Sequence, residues 1–164
     1  MVRIAINGFG RIGRLVYRIA HNDKKINVVA INDLTDTKTL AQLLQFDSVH
    51  GKFPENVRAT KDSLIIGKKK IPVISEKDPS KLLWKQFKVD VVVESTGRFR
   101  NPPETMKHIE AGAKKVLLSA TLKPKNGKIP NNAITLVLGV NEKKYNKKKH
   151  DLISNASCTT NNVS

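Results

Sequence analysis

Val2 to Gly13, VRIAINGFGRIG, is the stretch whose reading decides the fold. Its first six residues are apolar and β-branched enough for a short buried strand ending at Asn7. Gly8-Phe9-Gly10-Arg11-Ile12-Gly13 comes next, in the spacing G-x-G-x-x-G. Arg11 to His21 then reads as a helix with Ile12, Leu15, Val16 and Ile19 on one face. Strand, glycine turn and helix in that order form a dinucleotide-binding unit. Gly8 permits the tight turn, Gly10 keeps side chains away from a pyrophosphate, and Gly13 lets helix and strand pack closely. The phosphates then meet free N–H groups at the helix N-terminus. A bare G-x-G-x-x-G is a weak signal, but here it carries its context. Asp33 closes the next strand, Asn27 to Asn32, and lies 20 residues past Gly13. A carboxylate there accepts hydrogen bonds from the adenosine ribose hydroxyls and repels a 2′-phosphate, so NAD is the expected cofactor in preference to NADP.

Outward from this unit, strand and helix alternate. Thr37 to Phe46 is an expected helix capped by Asp36, with Leu40, Leu43 and Leu44 at helical spacing. Ser63 to Gly67 and Lys70 to Ser75 read as a two-stranded antiparallel excursion. Pro79 follows Asp78 as a first helical residue follows its cap, opening a helix expected over Ser80 to Phe87. Val89 to Glu94 is the next buried strand. Pro102-Pro103 starts a helix that Gly112 ends, and Val116 to Ser119 is a strand. Lys123 to Asn132 is a polar loop. Ile134 to Val140 and Leu152 to Ser154 complete the strands. Strands separated by crossover helices imply a Rossmann-type α/β fold, a doubly wound and mainly parallel sheet with helices on both faces.

The 164 residues suit one domain, and 39% of them are hydrophobic. No apolar run approaches a membrane span. Met1-Val2-Arg3 leads straight into a strand with no expected signal peptide, and the single cysteine fits a reducing, cytoplasmic setting. No metal site is expected. The net charge of +16, from 30 Lys+Arg against 14 Asp+Glu, raises RNA binding through the nucleotide groove as an alternative function. Scattered lysines and 5% aromatic residues favour a solvated basic surface over a stacking platform for single strands.

The second informative stretch is Ser154 to Asn161, SNASCTTN. Cys158 stands in a polar run where a strand is expected to end and a helix to begin. A helix N-terminus stabilises a thiolate. Ser157 and Thr159 flank it with hydroxyls, and the free N–H groups there suit an anion. These residues read as a nucleophilic thiol beside an oxyanion or phosphate site. The remaining residues, Cys158 to Ser164, read as the opening of a helix that continues into a domain outside this chain.

Together with Asn7 to Arg14 (NGFGRIGR), Asn32-Asp33, Glu94 to Gly97 (ESTG) and Gly139 to Asn141 (GVN), this segment resembles the phosphorylating, NAD-dependent glyceraldehyde-3-phosphate dehydrogenase family. The resemblance implies an NAD-binding domain over residues 1–157 and the start of a catalytic domain over 158–164. It implies cofactor contacts from Gly8, Gly10, Arg11, Ile12, Gly13, Asp33, Lys77, Thr96 and Ser119. It also implies Cys158 as the nucleophile, with Ser157 and Thr159 on the substrate phosphate. Glyceraldehyde 3-phosphate and inorganic phosphate are the implied substrates, and a homotetramer the implied assembly. Erythrose-4-phosphate dehydrogenase shares the cysteine signature and is the closest alternative. Where relatives usually carry arginine this chain has Lys77, and Ser119 is followed by Ala120-Thr121 rather than Ala-Pro. The histidine that pairs with the cysteine in the family matches none of His21, His50, His108 and His150, each expected as a surface or helix residue.

Overall fold

The computed structural model describes all of residues 1–164. The first unit is β1 (Val2–Asn7), α1 (Arg11–Ala20) and β2 (Ile26–Asn32). Then come α2 (Thr37–Gln45) and a small hairpin of β3 (Phe46–Asp47) and β4 (Gly51–Lys52). An antiparallel run is next: β5 (Val57–Ala59), β6 (Ser63–Ile66) and β7 (Lys69–Ile74). The second half holds β8 (Val91–Glu94), α3 (Pro102–Glu110), β9 (Lys115–Leu118), β10 (Ala133–Thr135), β11 (Leu152–Ser154) and α4 (Cys158–Val163). One nine-stranded sheet results, in the order β10-β11-β9-β8-β1-β2-β7-β6-β5. All pairings from β10 to β7 are parallel. This is the expected Rossmann-type α/β architecture. The chain order reverses at β1, which puts a crevice beyond the C-terminal ends of β1, β2 and β8.

Alternation along β1 sorts the core into two layers. Ile4 and Ile6 point to one face, with Tyr17, Leu40, Leu44, Phe53 and Leu64. Ala5 points to the other, with Ala30, Leu82, Trp84 and Val92. Val116, Leu118 and Leu152 extend that second layer under Met106 and Ile109 of α3.

Five local expectations need correction. In α1 the buried residues are Gly13, Arg14, Tyr17 and Ala20, while Ile12 and Ile19 are 49% and 76% exposed. The third glycine sets this rotation: a Cβ on Gly13 would lie 2.2 Å from the Gly8 carbonyl oxygen, so that position must face the strand. The apolar stripe therefore turns outward, where Ile12 and Val16 line an open groove with Val93 and Leu117. The helix expected over Ser80 to Phe87 is a single 3-10 turn, Pro79–Lys81. Asp78 caps it as expected, but Leu82 is extended. Leu82 and Trp84 both enter the second core layer, and two residues 200° apart on a helix could not share one face.

The strand expected over Ile134 to Val140 stops at Thr135. The Asn141 side chain takes the Val137 N–H at 2.7 Å and donates to the Thr135 carbonyl at 3.1 Å, folding the chain back locally. The antiparallel excursion has three strands rather than two, and β7 joins it to the main sheet beside β2. Among the histidines, His150 is neither on a helix nor at the surface: it is buried, and its Nδ1 accepts the Asn146 N–H at 3.0 Å. His108 lies on α3 as expected, but with no exposed surface.

Candidate functional site

The register aligns Asn32, Asn7, Glu94, Leu118 and Ser154 as one row across β2, β1, β8, β9 and β11. The segments that leave these five strands all emerge on the same edge of the sheet. The glycine turn leaves β1, Asp33 leaves β2, Ser95-Thr96 leaves β8, Ser119 leaves β9, and Cys158 comes four residues after β11. At a strand spacing of about 4.8 Å, the cysteine end stands three strands, roughly 14 Å, from the glycine turn.

The first site on this edge is a crevice. Its floor is Asn7, Gly8, Gly10 and Asn32, and its walls include Asp33, Lys77, Ser95, Thr96 and Arg98. The glycine turn is anchored on both sides at Phe9, whose ring is fully buried. The Phe9 N–H donates to Asp33 Oδ2 at 2.6 Å, and Arg14 Nη1 donates to the Phe9 carbonyl at 3.1 Å. Burial pulls the Arg14 guanidinium below its ordinary value, against the opposing pull of Asp47 and Asp33. Asp33 Oδ1 accepts the Thr35 N–H at 2.9 Å. The carboxylate is thereby fixed in direction, and with about four acceptor positions it keeps capacity for ligand hydroxyls.

The three glycines do different work. Gly8 has φ +89°, and a Cβ there would meet Thr96 N at 2.7 Å. Gly13 is pressed against the Gly8 carbonyl. Gly10 has an ordinary φ of −72° and nothing within 4 Å of where a Cβ would be. Only the space in front of it, at the start of α1, calls for a glycine, so this cradle fits a phosphate group approaching the helix N-terminus. Arg11 and Ile12 are exposed behind it. Lys77 is exposed on the wall opposite Thr96.

The second site surrounds Cys158, an exposed free thiol at the first residue of α4. It shares a groove with Ser119, Asn155, Ala156 and Asn161. Ser119 is thus beside the cysteine rather than in the glycine crevice. Ser157 caps α4: its Oγ accepts the Thr160 N–H at 2.9 Å. Thr159 is exposed. Ala156 has φ +58°, a left-handed conformation that costs a residue with a Cβ about 1–3 kcal/mol. Its neighbours over-determine it: Asn155 N–H donates to the Leu118 carbonyl at 2.9 Å, and Asn161 Nδ2 donates to the carbonyls of Asn155 and Ser157. Such strain collects at functional sites. No histidine lines this groove. His21 meets Glu55, His50 meets Asp47, and His108 meets Glu94.

Sequence reasoning overlooked the polar groups beneath the crevice. Asn7, Asn32, Glu94 and His108 are all buried, and they are hydrogen-bonded to one another in a chain. One signal was available: polar residues ending three apolar strands at the same register.

Residues 2–102 match the family model of the glyceraldehyde 3-phosphate dehydrogenase NAD-binding domain. The chain is 56% identical to the glyceraldehyde-3-phosphate dehydrogenase of Thermotoga maritima over 165 residues, covering 99% of this chain and 47% of that protein. It is 52% identical to that of Geobacillus stearothermophilus, covering 98% and 46%, and 51% identical to that of Chlamydia pneumoniae, covering 98% and 46%. It spans about half the length of these curated relatives. With a glycine-floored crevice at the switch point and a cysteine on the same sheet edge, the chain belongs to the glyceraldehyde 3-phosphate dehydrogenase family, in the part that forms its NAD-binding domain.

Proposed function

We propose that the chain binds NAD in the crevice and carries the nucleophile of an enzyme that oxidises glyceraldehyde 3-phosphate. The placement of the glycine turn and Cys158 on one sheet edge is the observation that carries this reading. Residues 1–157 form the cofactor domain, and 158–164 begin a catalytic domain. Gly8, Gly10, Arg11, Ile12 and Gly13 form the turn and helix start that take the pyrophosphate. Asp33 takes the adenosine ribose. Lys77 and Thr96 line the crevice, and Ser119 faces the end nearer the thiol.

NAD supplies a hydride acceptor when bound. Cys158 Sγ adds to the aldehyde carbon, and loss of hydride from that carbon leaves a thioester on the cysteine. Inorganic phosphate cleaves the thioester to 1,3-bisphosphoglycerate. Ser157 and Thr159 take part in binding the substrate phosphate. The family resemblance implies a histidine outside this chain as the base for Cys158, and none of this chain's own histidines lines the groove. The intact enzyme is a cytoplasmic homotetramer in this reading, and no helix of this chain is long and apolar enough to cross a membrane.

Calorimetric titration of the chain with NAD and NADP tests the first step. Saturable NAD binding, with weaker NADP binding, is expected. Equal affinity for the two would remove Asp33 from its role, and a folded chain that binds neither would remove the crevice.

A further inference from the structure

The buried polar chain under the crevice has a direction, and one side chain sets it. The Trp84 indole Nε1–H donates to His108 Nδ1 at 3.0 Å. An indole only donates, so Nδ1 must accept, and the His108 proton sits on Nε2. That proton is directed at Glu94 Oε2, 3.0 Å away. The same carboxylate accepts from Asn7 Nδ2, from the Thr96 N–H at 2.8 Å and from the Thr96 hydroxyl. Four donors thus converge on a fully buried group that can only accept.

Two primary amides continue the chain. Shape does not distinguish an amide oxygen from its nitrogen, so polarity alone orients each one. Asn7 turns Nδ2 to Glu94 and must therefore turn Oδ1 to Asn32, whose Nδ2 donates to it at 2.7 Å. Asn32 Oδ1 is left to accept the Glu76 N–H at 2.9 Å, while its Nδ2 also donates to the Glu76 carbonyl at 2.9 Å. Asn32 thus holds the backbone of Glu76 at both polar groups, and the next residue is Lys77 on the crevice wall. On the other side, the committed hydroxyl and N–H of Thr96 hold the opposite wall, against which Gly8 packs.

We propose that Glu94 is the positioning residue of the nucleotide crevice: backed by His108 and Trp84, it orients Asn7 and Asn32 and so holds the Glu76–Lys77 wall on one side and Thr96 on the other. The link to cofactor affinity rests on the NAD-binding role proposed for the crevice; the link to the Glu76 backbone does not.

Glu94→Gln is the test. It keeps the volume but turns an amide nitrogen toward one of the two donor pairs. Amide hydrogen exchange at Glu76 is expected to speed up about tenfold or more while Ala5 and Ile6 in β1 stay protected, and NAD affinity falls by about ten- to hundredfold. Adding Asn7→Asp restores part of both. The new amide nitrogen at position 94 then donates to the new carboxylate at position 7, and the amide oxygen at position 94 accepts from Thr96. The carboxylate at position 7 also accepts from Asn32, while the His108 Nε2–H, 3.0 Å from the atom that becomes the position-94 nitrogen, faces a second donor and stays unmatched. A gain of at least about threefold over Glu94→Gln is expected, because complementary polarity rather than packing is restored at the Asn7 and Thr96 contacts. Should Glu94→Gln fail to fold, Asn32→Ala cuts the last link nearer the surface and must loosen the Glu76 amide and weaken NAD in the same way. A folded Glu94→Gln variant with an unchanged Glu76 amide and unchanged NAD affinity overturns the proposal, as does a double variant no better than the worse single one. If the unaltered chain takes no NAD although its Glu76 amide responds to Glu94→Gln, the cofactor reading fails and the positioning of the wall stands.

Discussion

The crevice and the cysteine groove lie on one sheet edge, yet they are built in opposite ways. Under the crevice Asn7, Asn32, Glu94 and His108 are buried and matched, and five chain segments lock together through Glu94, Asn7 and Asn32. Around Cys158 a six-residue helix with no buried residue leans on a strained Ala156. A buried, satisfied network rigidifies its surroundings, whereas a short exposed helix draws little stability from packing. The nucleotide crevice is therefore a stiff feature of the domain core. The thiol is mounted on a surface that leaves it free to react and contributes little to folding.

The sharpest way to break this contrast is Cys158→Ser. On the function proposed above, aldehyde oxidation by a full-length protein carrying this chain should fall by about 10⁴-fold or more, while the melting temperature and NAD affinity of this chain stay where they were. Loss of fold in that variant would show the thiol to be structural. The glycines come next. Gly13→Ala should destabilise the chain by about 3 kcal/mol or more in chemical denaturation, because its Cβ would strike the Gly8 carbonyl. Gly10→Ala should leave stability within about 1 kcal/mol and weaken NAD at least about tenfold, ~1.4 kcal/mol. If the two variants behaved alike, the separation of structural from ligand-facing glycines would be lost.

Asp33→Asn should narrow the preference for NAD over NADP by about tenfold, since the charge is removed while an oxygen remains for the Phe9 N–H. Paired titrations with the two cofactors would measure it, and an unchanged ratio would move discrimination elsewhere. The smallest effect concerns acid. The backbone N–H groups of His50 and Val49 hold the Asp47 carboxyl down to about 2. Its folded value lies below the ordinary value of about 3.9, so its contribution is present above that value and is lost as pH falls toward about 2. The Asp47 side-chain carboxyl carbon resonance should move over that range, and a midpoint at or above the ordinary value would contradict the assignment.

Legibility followed the range of the forces involved. The glycine turn, the Asp36 cap and the Asp78 cap are local devices, and the residues that need them lie within three positions. Asp33 and Cys158 were readable because each stands next to a local element boundary. The outward turn of Ile12 and Ile19 was less so, although Gly13, read for its close packing, already pointed toward the strand and away from that stripe. The short turn at Pro79 depended on partners far along the chain, whereas β10 ends early because the Asn141 side chain takes up the backbone groups of Val137 and Thr135. Trp84 needed His108, 24 residues on, and Leu82 needed the core layer around Ala5 and Ala30.

By itself the sequence determined the βαβ unit, the parallel sheet, the carboxylate at Asp33 and the thiol at a helix start. Periodicity, turn chemistry and capping are encoded over a few residues, and they act before distant segments meet. The tertiary structure alone decided that Ser119 lies with the cysteine, and that Glu94, Asn7, Asn32 and His108 join under the crevice. Asn7 and Glu94, bonded side chain to side chain, lie 87 residues apart. Only sheet register brings them within hydrogen-bonding distance, and only burial makes the polarity of each bond compulsory.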